Sequence, residues 1–465
     1  MPNPPPALRL QFADDMFLRR HDGETSPVVN QVLWRLDGPY DADRLRDLAD
    51  GIAAGSLHRR VVRARVPGAR HCWAPAGTLP VLDLQTAAVA ESSVGAWAQA
   101  QADLPLDPAH GSSWRLAAAD VATQGADAAG SARGGIVSLT CAHAVADGAA
   151  LIDALVRAST HADPLVVPPP GRGARALLAD AADAAAQAGA VARWAGARAR
   201  QVARERSAVV EPSSLVSTSP TSEPGGASVP AGSARGSADD VGWRAPVLHL
   251  ELPADRVAQA AAGHGGTPNT WFVAFLARLV HATGRFPGEP VPVALPVSTR
   301  GEEDPRANST KIARVTVPAD VLAARDLGWV RAAAKEAYTA VGAEPRVAPV
   351  PLELVQMLPD LAVSRLPQPP VAAALASNLG TPPDGFTQAP GGMVRAVATL
   401  SHYQGASAAE LRAAGGGLVA FCTTAGRTTT LSVAALDPDR VPDAETLRRL
   451  VLTETDGWQI PAVSW

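Results

Sequence analysis

Ile136-Val137-Ser138-Leu139-Thr140-Cys141-Ala142-His143-Ala144-Val145-Ala146-Asp147-Gly148-Ala149-Ala150-Leu151-Ile152-Asp153-Ala154-Leu155 holds one histidine and one Asp-Gly pair between two apolar runs. Ile136 to Thr140 is short, apolar and rich in β-formers, which predicts a buried strand, and Arg133-Gly134-Gly135 supplies a turn signal before it. Gly148 to Leu155 has the composition of a helix. His143 therefore falls on a strand-to-helix turn.

Such a turn can carry an imidazole into a cleft, where an unperturbed pKa near ~6.5 suits removal of a proton from a hydroxyl or an amine. Asp147, four residues on, fits a bracing role better, folded away and paired with an arginine, while Gly148 allows a backbone shape other residues resist. The same six residues also read as a helix N-terminus with a surface histidine and a capping aspartate. The hexapeptide leaves both readings open.

Working outward, Val28 to Leu36 reads as a strand, Asp41 to Ala54 as a helix and Ile136 to Cys141 as a strand, an alternation that predicts a mixed α/β lobe over residues 1–165. Residues 166–240 differ. Arg175 to Arg206 is alanine-rich with apolar residues at helical spacing, predicting one or two amphipathic helices that pack on the protein itself in preference to a membrane surface. Asp180 and Asp183 come early in it and Arg198, Arg200, Arg204 and Arg206 late, the order that complements a helix dipole. Ser207 to Asp240 is Ser, Pro, Gly and Thr with few large apolar residues, the composition of a disordered linker. Beyond it, strands at Val247 to Leu252, Val291 to Val297 and Leu418 to Thr423 and a helix at Trp271 to Thr283 predict a second α/β lobe over residues 241–465.

Length supports the division, since 465 residues exceed what one core usually serves and 47% hydrophobic residues can fill two. A net charge of −4 provides no broad basic face, which excludes nucleic acid as an expected partner. Cys72, Cys141 and Cys422 are odd in number and far apart, so neither a disulfide framework nor a metal site is expected. No signal peptide and no apolar run near the ~20 residues of a membrane span are evident, so a cytoplasmic location is expected, with peripheral lipid contact left open. Gly415-Gly416-Gly417 lacks the residues of a phosphate loop.

The stretch from Cys141 to Leu155 resembles the active-site motif of the CoA-dependent acyltransferase superfamily, which holds chloramphenicol acetyltransferase, plant acyltransferases, peptide-synthetase condensation domains and bacterial wax ester synthase/diacylglycerol acyltransferases. The last family is the most similar, through further segments in order along nearly the whole chain. These are Asp14-Asp15-Met16-Phe17-Leu18-Arg19, Pro105-Leu106-Asp107-Pro108 with Trp114-Arg115-Leu116, Val293-Ala294-Leu295-Pro296-Val297-Ser298-Thr299-Arg300, and Ala376-Ser377-Asn378-Leu379-Gly380.

The resemblance implies two chloramphenicol-acetyltransferase-like lobes meeting at a tunnel, with His143 as general base, Asp147 supporting its loop and Arg300 as the salt-bridge partner. It places Ser377 and Asn378 near the channel, and Ser401 or His402 on a strand facing the cleft. The implied reaction moves an acyl group from acyl-CoA, or from an acyl carrier protein's phosphopantetheine, to a hydroxyl or amine acceptor. No resident cofactor is expected. A thioester is already activated, so no covalent acyl-enzyme is required, and Cys141 reads as a core cysteine. Two positions depart from the family pattern. Ala142 stands where the first of two adjacent histidines is usual, and Thr270, in Asn269-Thr270, where a carboxylate is usual. Condensation of carrier-bound intermediates and thioester binding without turnover are the alternative readings.

Overall fold

The computed structural model describes residues 8–23, 25–79, 81–122, 134–208, 243–341, 350–363 and 372–465. In chain order the first part supplies β1 (Val28–Leu36), β2 (Arg59–Val62), β3 (Cys72–Pro75), β4 (Val81–Ala90), β5 (Trp114–Ala122) and β6 (Gly134–Ala142). The second supplies β7 (Val247–Pro253), β8 (Val291–Ser298), β9 (Thr310–Val317), β10 (Ala374–Gly380), β11 (Val394–Tyr403), β12 (Leu418–Ala425), β13 (Thr428–Ala435) and β14 (Val463–Ser464). They build one sheet of five strands in the order β11-β1-β6-β5-β4, one of seven in the order β14-β7-β13-β12-β10-β8-β9, and the hairpin β2-β3. Both large sheets mix parallel and antiparallel neighbours. Two mixed α/β lobes, each with a sheet, are the architecture.

All nine residues of β1 are buried, so both faces of the strand are covered as well as both edges paired. Its polar members find partners inside, Gln31 Nε2 donating to Ala98 O and Ser138 Oγ at 2.8 and 2.9 Å and Arg35 pairing with Glu91 at 2.6 Å, while Gln31 Oε1 and Arg35 Nε and Nη1 are buried without a hydrogen bond among the described residues. One edge of β1 pairs with β6, and the other with β11, drawn from the C-terminal half of the chain. In the second lobe the helix Pro268–Ala282 starts at a Thr267 cap with Pro268 in its first turn. It is buried from Thr270 to Ala277, the spine of the largest core.

The alanine-rich stretch forms a single helix, Gly173–Ala208. Its early acids fasten it to the first lobe: Asp180 meets Arg9 at 2.7 Å and accepts from Arg65 N, and Asp183 meets Arg70 at 2.7 Å. No helix among the described residues is long and apolar enough to cross a membrane. Residues 209–240 of the expected linker lie outside the described residues, as does Arg133. Gly134 and Gly135 do not make the expected turn but are the first residues of β6. A Cβ there would stand 2.8 Å from Leu36 O and 3.0 Å from Gly38 O, so close backbone approach requires the glycines.

Candidate active site

The strand-to-helix turn is built as its residues dictate. β6 ends at Ala142, His143 N donates to Val28 O at 2.9 Å, and the helix Gly148–Ser159 begins behind Asp147. Asp147 caps that helix, accepting from Ala150 N at 2.9 Å, and the same carboxylate accepts from Arg300 Nη2 at 3.1 Å, Ser309 N at 2.6 Å and Thr310 Oγ1 at 3.0 Å. Its side chain is 4% exposed and that of Arg300 is 9%. Capping and bracing are thus one arrangement. Arg300 also donates to the carbonyls of Asp304, Arg306 and Ala307, shaping the loop that follows β8, and Asp147 N donates to Ala307 O. Through that loop the second lobe holds the turn of the first.

His143 lies face to face with Phe17, ring centroids 4.0 Å apart. Asn308, from the same second-lobe loop, takes hold of it twice: Nδ2 donates to His143 O at 3.0 Å, and Oδ1 lies 3.1 Å from His143 Nδ1. Burial pushes the imidazole pKa below its ordinary value, against smaller upward pulls from its own backbone, Asp147 and Asn308. A neutral ring at neutral pH follows. Behind Asn308 stands Asp14, fully buried, accepting from Asn308 N at 3.0 Å, Asn308 Nδ2 at 2.9 Å, Gln11 N at 2.8 Å and Trp73 Nε1 at 3.2 Å. Burial raises the Asp14 pKa to about 6, opposed by those hydrogen bonds and by Arg59.

The remaining expected residues divide. Ser401 Oγ donates to Asn30 Oδ1 at 2.6 Å, and Asn30 Nδ2 donates to Ala146 O at 2.9 Å, so Ser401 reaches the His143 turn through one intermediary. His402, paired with Val29, sits one residue on and faces the opposite side of the sheet, as strand alternation demands. A cavity of about 380 Å³ there is lined by His402 with Gln99, Asp103 and Arg244, and Ser401 also borders it. Burial lowers the His402 pKa to about 4, and that of neighbouring His249 to about 3. Ser377 and Asn378 lie on β10, and Asn378 Nδ2 donates to Asn269 Oδ1 at 2.8 Å; neither enters the hydrogen-bonded set around His143. Gly148 does not carry the special backbone shape expected of it. It is absent from the positive-φ glycines, and a Cβ there would meet open space. Cys141 is fully buried with its thiol pushed up to about 12 by burial, a core residue.

Asn308 and Asn30 were not singled out from sequence, and Phe17 stands there only within a motif, without a role. The nearest signal for Asn308 is the polar run Arg306-Ala307-Asn308-Ser309-Thr310 just after Arg300. Asp14 was noticed only within a motif, without a role.

The sequence matches no protein-family model and no curated protein. Solved structures are similar over almost the whole chain. The condensation domain from the monacolin K polyketide synthase MokA superposes with a TM-score of 0.54 at 14% identity, covering 97% of this chain and 96% of its own. The first condensation domain of the CDA synthetase gives 0.52 at 15%, covering 97% and 96%. Wax ester synthase/diacylglycerol acyltransferase from Marinobacter aquaeolei VT8 gives 0.50 at 12%, covering 97% and 100%. The fold is therefore the two-lobed one of condensation domains and CoA-dependent acyltransferases.

Proposed function

We propose that this chain transfers an acyl group from a thioester, carried by CoA or by a carrier protein, to a hydroxyl or amine acceptor, with Nε2 of His143 as general base. The observation that carries the reading is the state of His143. It sits on a turn clamped from both lobes, with Nδ1 facing Asn308 Oδ1 at 3.1 Å and no protein hydrogen bond on Nε2 among the described residues, and burial holds its pKa below the ordinary value.

In the reaction, Nε2 takes the acceptor's proton as the acceptor oxygen or nitrogen attacks the thioester carbonyl carbon. The tetrahedral intermediate collapses, the carbon–sulfur bond breaks, and the departing thiolate recovers the proton from Nε2. The imidazole returns to its starting state, with no acyl-enzyme and no redox change. The lobes' part is to hold base, acceptor and thioester in register and away from water. Ser401, one hydrogen bond removed through Asn30, is the candidate second polar group at the turn. The condensation-domain and wax ester synthase neighbours support this reaction class without fixing the acceptor or the donor's carrier.

The test is release of free thiol from a panel of acyl-CoAs and acylated carrier proteins, with pooled alcohols and amines, for the natural chain and His143→Ala. Release that needs both acceptor and His143 is expected. Equal release by both proteins, or tight thioester binding with no transfer, overturns the proposal.

A further inference from the structure

A histidine acts as a base only through the nitrogen that lacks a proton, and free imidazole exchanges its proton between both. His143 is offered one arrangement. The Asn308 amide is oriented by its surroundings, because Nδ2 faces three acceptors, Asp14 Oδ1 at 2.9 Å, His143 O at 3.0 Å and Ala144 O at 3.3 Å. Asp14 Oδ1 also accepts from Asn308 N, while its other oxygen is taken by Gln11 N and Trp73 Nε1. A flipped amide would turn its oxygen onto a carboxylate and two carbonyls. In the orientation that remains, Oδ1 faces His143 Nδ1 and can only accept, so Nδ1 carries the proton and Nε2 the lone pair.

We propose that Asp14 and Asn308 are positioning residues that select the base tautomer of His143, Asp14 acting through the Asn308 amide. Neither touches the reacting atoms. The two come from opposite ends of the site, Asp14 from the helix Phe12–Asp22 of the first lobe and Asn308 from the second-lobe loop ahead of β9. The base is therefore set correctly only while the lobes are docked. This inference rests on the acyl-transfer reading for its kinetic consequence, but not for the tautomer itself.

The test is nitrogen NMR of the full chain labelled with ¹⁵N-histidine at pH 8, the His143 signal being the one lost in His143→Gln. The natural chain is expected to show Nδ1 protonated and Nε2 bare. Asn308→Ala, which removes the side-chain acceptor, should show both tautomers and lose roughly 5- to 10-fold in kcat, in step with the fraction of ring left in the base form, with KM within about twofold. Asn308→Asp keeps an acceptor opposite Nδ1 while setting a second carboxylate beside Asp14. It should retain the Nδ1-protonated form and most of kcat, whereas a purely structural role makes it the more damaging of the two. An unchanged tautomer in Asn308→Ala, or an Nε2-protonated ring in the natural chain, overturns the proposal. Absence of transfer by the natural chain with a correct tautomer would instead count against the acyl-transfer reading, and the positioning would stand.

Discussion

Replacing Asp147 by Ala removes four hydrogen bonds at once, to Arg300, Ser309, Thr310 and Ala150, from a side chain that is 4% exposed. Breaking a buried ion pair from one side costs about 3–5 kcal/mol, and loss of an N-cap about 1 kcal/mol. Arg300 keeps three carbonyl acceptors and has Asp304 Oδ1 at 3.9 Å, which places the ion-pair part near the lower end. Asp147→Ala is therefore expected to destabilise by about 4 kcal/mol. Arg300→Met should cost about 2–3 kcal/mol, because Asp147 retains three donors. In the double variant neither charge is left unpaired, so the two losses should fall short of adding by about 2 kcal/mol. Urea unfolding of the four proteins at pH 7, followed by tryptophan fluorescence, measures this coupling. Asp147→Asn separates the two parts, since asparagine caps a helix about as well but carries no charge. A coupling under about 0.5 kcal/mol, or an Asp147→Ala loss under about 1 kcal/mol, would refute the view that this pair holds the turn to the second lobe.

Acidification should destabilise the protein below pH ~6.5. The folded pKa values of His249 and His402, about 3 and about 4, lie below the ordinary histidine value, so the unfolded chain takes up protons that the folded one refuses. From pH 6.5 to 5 this amounts to roughly 2 kcal/mol for each, partly offset by Asp14, whose raised pKa of about 6 lets the folded state take its proton first. Equal urea midpoints at pH 7 and pH 5 would contradict it, and His402→Leu should flatten the fall. Cys141 and Cys422, both fully or nearly fully buried and pushed up to about 12, should resist alkylation in the native protein and react after denaturation. Cys141→Ala should keep transfer activity, and loss comparable to His143→Ala would point to an acyl-enzyme. Asp183→Ala should free Arg70 from the helix Gly173–Ala208 and raise hydrogen exchange in its first turns, and unchanged exchange would mean that this ion pair does not anchor the helix.

The fold was legible where each segment's local pattern agrees with its final environment. Val28 to Leu36 is a strand-like run, apolar at all but Asn30, Gln31 and Arg35, that ends up buried throughout, and the run from Ile136 forms a strand against it. The His143 turn was legible for the same reason, as a strand pattern meets a helix pattern around a single histidine. What stayed hidden depends on partners far apart in the chain. Asp14 and Asn308 are 294 residues apart, and nothing near either residue announces the other. Asn308 in isolation is an ordinary loop residue. The expectation of Ser401 or His402 at the cleft left the choice open, because adjacent strand residues point to opposite sides and only the pairing of β11 with β1 decides which faces the turn. Gly134 and Gly135 punctuate a sequence as a turn would, yet serve close packing against the backbone around Leu36 and Gly38.

The capture of β11 by the first sheet bears on how the molecule is made. Until residue 403 has left the ribosome, one edge of β1, flanked by Val28, Val29, Val32, Leu33 and Trp34, has no strand to pair with. An unpaired apolar edge invites association with other chains. The N-terminal half is therefore committed to wait for its last strand while more than 200 further residues are synthesised. Cutting the gene between the lobes would yield a fragment prone to aggregate, whereas two fragments produced together could complete the sheet.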